Sequence, residues 1–398
     1  MINFELSPVA KKGKKLYREF NENVIRKLSP YYDSYEHEHD GIKEAEEIRK
    51  GHLEIQKKMA GFQIQQSPSD GPVTGMVIAE ENAWGDPGIG LGASRGGLGN
   101  AAIASVATDE QKKRFAGKYA SMAITEPCCG SDTASIQATA RLDEETNEWV
   151  LNGEKIFVTG GYHSELVVAW ASLDRTLGRA AIKSFVVEKD RPGITVSKLE
   201  HKLGIRASDT ASIVLEDCRV PFENILGDPE IKQKKTSKSG FQGVMRTFDA
   251  TRPAVAAQAL GIGQAAFDFT KEKLEEEGFT FPYNRGLHEL SALQREMLEM
   301  EAHLDVSRLL IWSSVAMLAT GQRNSLEASI GKAKAGRAST LVTQKCVAML
   351  GPLGYSREWL LEKFMRDVKI TDIFEGTGQI QTLIVARNIL GFNRDMLK

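Results

Sequence analysis

Between residues 119 and 228 the chain changes its period, with helical sequence on both sides of the change. Segments 149–159, 166–172, 182–188 and 210–220 are β-branched, alternating and separated by turn residues, which reads as a small antiparallel β domain. Asn152-Gly153 reads as a hairpin turn inside it. Ahead of it the sequence is helical in character, with charged runs such as Gly41–Lys50, and Thr108 followed by Gln111 has the spacing of a capping box. Behind it Leu290, Leu293, Met297, Met300 and Leu304 recur at three- and four-residue steps, the stripe of a long helix packed in a bundle. Lys232–Gly240, polar and lysine-rich, reads as a mobile loop leading into that last zone. At 398 residues the chain exceeds what one core fills. The expected fold is mainly α with a central β domain, divided at 1–118, 119–228 and 229–398, the last part a four-helix bundle.

Composition removes several classes of function. A net charge of −2 gives no ground for a nucleic acid or an anionic membrane as bulk partner. No uninterrupted apolar run reaches the length of about 18 residues that a membrane span needs. The N-terminus, MINFELSPVAKKGKK, carries an early acid and no hydrophobic run, so neither a secretory signal nor a transit peptide is expected. Cys128, Cys129, Cys218 and Cys346 are too few and too irregular for a disulfide framework or a zinc site, and reduced thiols in a cytoplasm are the simpler expectation.

Three segments carry chemistry. In Ile370-Thr-Asp-Ile-Phe-Glu-Gly-Thr-Gly-Gln-Ile-Gln381, Glu375 stands at a break between helical segments marked by Gly376 and Thr377. Such a side chain can project into a cavity, where apolar walls raise a carboxyl pKa toward the range in which a general base works best. Taken alone, the same pattern also describes a solvated surface acid. In Ala123-Ile-Thr-Glu-Pro-Cys-Cys-Gly-Ser-Asp132, Gly130 and Ser131 can present backbone N–H groups and a hydroxyl to a phosphate or a heterocycle edge, beside the Thr125 hydroxyl. A plain turn is the alternative. In Ile156–Gly161, Phe157 and Thr159 share a strand face, so a planar ring could lie on the one and bond the other.

The strings ITEPCCGSD, NGEKIFVTGG, KLGIRASDTASIVLEDCRVP, FDATRPAVAAQALGIGQ, FMRDVKITDIFEGTGQIQ and LIVAR resemble the acyl-CoA dehydrogenase family, in its order and spacing, over essentially the whole chain. That resemblance implies a helical N-terminal domain, a β domain and a C-terminal four-helix bundle around FAD, assembled as a homotetramer in the cytoplasm. It implies that Glu375 removes the α-proton of an acyl-CoA thioester while the β-hydrogen leaves as hydride to the flavin. The thioester carbonyl would be polarised by the backbone N–H of the glutamate and a ribityl hydroxyl of FAD. Two branches of the family carry the base on another helix, near the position of Thr251, which cannot serve. The resemblance further implies flavin contacts from Ile124, Thr125, Phe157 and Thr159. Gly130 and Ser131 would lie near the pyrophosphate, with Ser131 also at the bound thioester. Thr377 and Gln379 would reach the adenosine side, and Gly376 would lie at the substrate. Asp249 and Arg252, in the FDxxRP string, would flank the pantetheine channel or equally form an ion pair inside the bundle. Electron-transfer flavoprotein is the implied acceptor. A flavin oxidase or monooxygenase of the same fold, and a CoA-binding subunit without catalysis, are the competing readings, and the intact FEGTGQIQ segment argues against the oxidase.

The chain departs from the family in three places. An arginine expected near Thr280 is missing, although Tyr283 keeps an aromatic and Arg285 could substitute. The family's Gln-x-x-Gly-Gly becomes Ala348-Met-Leu-Gly-Pro352. Glycine-rich residues 85–99 fall where the family builds the floor of the acyl pocket. Side chains lost there read as room for a branched, cyclic or aromatic acyl group, with Arg95 able to pair with a distal carboxylate as in glutaryl-CoA or benzylsuccinyl-CoA.

Overall fold

A computed structural model of the chain describes residues 5–37, 41–60, 70–231, 240–392 and 396, with the side chains of 240–250 outside the description. Among the described residues seven α-helices come first: α1 (Pro8–Phe20), α2 (Arg26–Ser34), α3 (Ala45–Ala60), α4 (Asp70–Gly85), α5 (Pro87–Ala93), α6 (Leu98–Val106) and α7 (Asp109–Arg114). The start of α7 is the capping box expected at Thr108 and Gln111. Seven strands follow: β1 (Ala120–Ala123), β2 (Thr139–Asp143), β3 (Glu148–Thr159), β4 (Leu166–Ser172), β5 (Ile182–Glu188), β6 (Ile194–Leu199) and β7 (Thr210–Pro221). The chain then returns to helix in α8 (Gly240–Glu276), α9 (Ala292–Ala319), α10 (Ser325–Leu350), α11 (Pro352–Tyr355), α12 (Leu361–Val368) and α13 (Gly378–Leu390). The loop expected at 232–240 lies, up to Ser239, outside the described residues.

The sheet is mixed, not wholly antiparallel. Its order is β1-β4-β2-β3-β7-β6 with β5 on β4, and β1 and β2 run parallel to β4. Helix α6 covers one side of the sheet: Ala102 and Ile103 pack with Ala120, Leu166 and Trp170. With both faces covered, β4 is buried along its whole length and reads as a continuous apolar run.

Asn152-Gly153 is not a hairpin turn. Residues 144–147 turn between β2 and β3, whereas Asn152 and Gly153 lie inside β3 at a register shift against β7. The Asn152 side chain bonds Asp217 across that shift, and a Cβ on Gly153 would meet Ala138 at 2.6 Å. The pair therefore serves a bulge and a close crossing.

In the bundle Met297, Met300 and Leu304 of α9 are buried, as their spacing predicts, against Leu260 and Phe267 of α8 and Val342 and Cys346 of α10. A buried ionic cluster ties α5 to α12. Lys363 is buried between Asp367 and Asp86, at 2.8 Å from the latter, while Asp367 accepts the Ile205 N–H and Asp86 caps α5.

Candidate active site

Glu375 lies in the turn between α12 and α13, with Lys369–Asp372 forming a 3₁₀ segment before it. Glu375 and Gly376 are both left-handed, at φ 53° and 88°. For a glutamate that conformation is costly and persists only where the surroundings enforce it. Three groups do so. Lys332 Nζ, from α10, donates to Phe374 O at 2.9 Å and to Gly376 O. Gln381 Nε2, fully buried on α13, donates to Glu375 O at 3.3 Å and Gly376 O at 3.2 Å. Thr377 caps α13 by accepting the Ile380 N–H, as its place at the helix break suggests.

The carboxyl of Glu375 faces α8, where Thr251 donates its hydroxyl to Oε2 at 2.6 Å. Burial raises the Glu375 pKa, partly opposed by the Thr251 hydrogen bond and by the charges of Lys332 and Arg252. Burial also lowers Lys332, to about 8, against the pull of Asp372 and Glu375. The arrangement is a carboxyl whose neutral form is favoured by burial, with cations at hand to stabilise it when charged.

Lys332 and Gln381 escape a reading by motif. Yet Ala328, Lys332, Ala335, Ser339, Val342 and Cys346 form one buried stripe at three- and four-residue steps. A lysine inside such a stripe is a readable signal.

A second group of residues gathers around β3. Ile156 N–H donates to Thr125 O at 2.9 Å, joining the Ile124–Thr125 segment to the strand that carries Phe157 and Thr159. Beneath this joint lies a buried pair absent from the sequence reading: Lys155 Nζ meets Glu126 Oε1 at 2.6 Å. Burial works to raise the Glu126 pKa, but Lys155 and the amides of Gln137 and Ala138 outweigh it and hold the carboxyl low. The register shifts between Lys155 and Val158, and Phe157 sits there at φ 56°. Lys155 is buried while Phe157 is 60 % exposed, so the bulge turns the aromatic away from the core side that strict alternation from Lys155 would give it. Thr125 and Thr159 are half-buried, Ile124 is buried, and Gly130 and Ser131 are exposed at the mouth of the following turn. Among the described residues no ring contact covers Phe157, and the Thr125 and Thr159 side chains and the Gly130-Ser131 turn lie on the segments joined to its strand.

The remaining expected site residues lie apart. Tyr283 is exposed between α8 and α9 and donates to Glu301 at 2.6 Å. Gln379 is exposed on the first turn of α13. Arg252 is buried, and Asp249 has its side chain outside the described residues. Arg95 is exposed in the turn between α5 and α6, and no hydrogen bond or ion pair joins it to Glu375 among the described residues. Glycines of the 85–99 segment serve close packing. A Cβ on Gly97 would meet Ala120 O at 2.5 Å, one on Gly92 would meet Ala207 O at 2.7 Å, and Gly99 is closed off by the Ser121 carbonyl. Gly90 alone of the segment has nothing within 4 Å. At Gly92, Gly97 and Gly99 the missing side chain admits neighbouring backbone.

A helical domain, a mixed sheet and a helical bundle with a half-buried glutamate at a left-handed break define the class. Family models match three consecutive parts: acyl-CoA dehydrogenase, N-terminal domain over 10–123, middle domain over 121–218 and C-terminal domain over 238–390. The short-chain specific acyl-CoA dehydrogenase of Clostridium acetobutylicum is 31% identical over 404 residues, covering 98% of this chain and all of that one. Butyryl-CoA dehydrogenase from Megasphaera elsdenii superposes with a TM-score of 0.80 at 28% identity, over 98% of this chain and all of that chain. A structure reported for the electron transferring flavoprotein of Acidaminococcus fermentans contains a chain with TM-score 0.78 and 27% identity, matched over 98% of this chain and 100% of its own. This chain belongs to the acyl-CoA dehydrogenase family, FAD-dependent oxidoreductases acting on acyl-CoA thioesters.

Proposed function

We propose that the protein dehydrogenates a short-chain acyl-CoA between Cα and Cβ, with Glu375 as the base. The observation that carries this reading is the Glu375 carboxyl, half-buried, raised in pKa and held by Thr251 on a turn whose three carbonyls are tied down. An α-proton is weakly acidic, so the base needs a high pKa together with a polarised carbonyl. The Glu375 N–H meets no acceptor among the described residues and is the donor this chain offers to that carbonyl. FAD, when bound, supplies the acceptor for the β-hydrogen. Ile124, Thr125, Phe157 and Thr159 would hold its ring, Gly130 and Ser131 its pyrophosphate, and Thr377, Gln379 and Tyr283 its adenosine side. Arg252, Asp249, Gly376 and Ser131 would line the thioester channel.

The short acyl group is supported by the two relatives whose names specify short-chain and butyryl substrates. A bulky or dicarboxylic group would draw support from Gly90 and Arg95, but the packed neighbours of Gly92, Gly97 and Gly99 and the exposure of Arg95 speak for the smaller one. Electron-transfer flavoprotein is the proposed acceptor, supported by the Acidaminococcus relative. We take 1–118, 119–228 and 229–398 as the domains, because helix gives way to strand after α7 and strand to helix after β7. Exposed Leu383, Ile389 and Leu390 on α13 support a homotetramer, and free thiols at all four cysteines agree with a cytoplasmic setting. None of the described helices is long and apolar enough to cross a membrane.

Anaerobic mixing of the purified yellow protein with butyryl-, octanoyl- and glutaryl-CoA tests the substrate. Butyryl-CoA should bleach the flavin fastest. Faster bleaching by glutaryl-CoA would restore the dicarboxylate reading, and a colourless protein that binds CoA would leave only a binding subunit. Rapid reoxidation in air after bleaching would mark an oxidase.

A further inference from the structure

Lys332 is a buried cation whose partners are two backbone carbonyls. Its Nζ donates to the oxygens on either side of Glu375, those of Phe374 and Gly376. Arg252, Asp372 and Glu375 are the charged groups around it. A trans peptide is planar, and its C=O and N–H point in opposite directions. The carbonyl of Phe374 shares its peptide plane with the N–H of Glu375. When Lys332 draws that carbonyl toward α10, the Glu375 N–H must point away from α10. Gln381 fixes the next plane by donating to Glu375 O. No other side chain among the described residues donates to Phe374 O.

We propose that Lys332 is a positioning residue that aims the Glu375 N–H at the thioester carbonyl, so that one lysine aligns both the polarising donor and the base. The proposal rests on the reading that this site activates an acyl-CoA thioester. Lys332 touches neither substrate nor cofactor; it acts through the 374–375 peptide plane, which carries the Glu375 N–H, and through the 376–377 plane beyond it. A lysine serving only to fill and cap the bundle interior would support stability without setting the direction of that N–H.

The test reads carbonyl polarisation directly. Butyryl-CoA labelled with ¹³C at the thioester carbonyl is bound to the holoenzyme carrying Glu375→Gln, in which proton removal is blocked, and its infrared band is followed. With Lys332 present the band should shift to lower frequency on binding. Adding Lys332→Met should remove more than half of that shift at equal ligand occupancy, and Lys332→Gln, which can still donate to one carbonyl, should leave an intermediate shift. Full retention of the shift in both variants overturns the proposal. If Lys332→Met does not accumulate as folded holoenzyme, Lys332→Gln decides alone, and a full shift there is the contrary result. Absence of any shift when Lys332 is intact refutes the thioester reading on which the proposal stands, which separates the two failures.

Discussion

At the scale of single residues, the site depends on how one carboxyl is balanced. Burial pushes Glu375 toward its neutral form, while the Thr251 hydroxyl and the charges of Lys332 and Arg252 favour the anion. Only the anion can accept the α-proton, so kcat/KM must fall as pH drops through the Glu375 pKa. Thr251→Val removes a donor that favours the charged form, and the pKa rises further. The acid limb of the kcat/KM profile should therefore move to higher pH in Thr251→Val and stay near its original place in Thr251→Ser, which keeps a hydroxyl. A profile unmoved by valine would show that the hydrogen bond does not act on the free enzyme. Thr251 reaches the Glu375 carboxyl from across the site, on α8.

At the scale of elements, the site is held by contacts between segments distant in sequence. The turn that carries Glu375 hangs on α10 through Lys332 and on α8 through Thr251. Below it, α12 is locked to α5 and to the loop before β7 by Lys363, Asp86, Asp367 and Ile205 N–H. Lys363 is the sole cation within ion-pair distance of Asp86 and Asp367 among the described residues. Lys363→Met would leave two buried carboxylates without their counter-ion, at a cost of about 3–5 kcal/mol. Denaturant unfolding of the variant should register a loss of that size, and a loss below about 1 kcal/mol would mean that the carboxylates find other partners or take up protons cheaply.

Local signals in the sequence were the dependable ones. The capping box at Thr108, the stripe through Met297 and Met300, and the helix break at Gly376 each depend on neighbours within one or two turns, and each stands as expected. Short strands and their parallel pairing depend on partners far along the chain. Thus the sequence pattern does not mark β1, β2 and β6, of four to six residues, and Asn152-Gly153 reads as a turn where a bulge requires it. The glycines of 85–99 are ambiguous for the same reason. A glycine that opens a cavity and one that admits a passing backbone are alike until the neighbour is known, and the Ala120, Ser121 and Ala207 carbonyls supply that neighbour.

For the whole molecule, the proposed reaction draws on three structural parts: the sheet exposes Phe157, α8 and α10 supply the groups around the carboxyl, and the turn before α13 carries Glu375. The central claim is that Glu375 removes the proton. It is tested most directly by mixing the yellow holoenzyme anaerobically with butyryl-CoA in a single turnover, for the native chain and for Glu375→Gln, and following the flavin absorbance. Glu375→Gln should bind FAD and butyryl-CoA as the native chain does, yet bleach slower by a factor on the order of 10³ or more, as expected for loss of a positioned base. Bleaching at a native rate in Glu375→Gln would contradict the account and send the search for the base elsewhere in the chain.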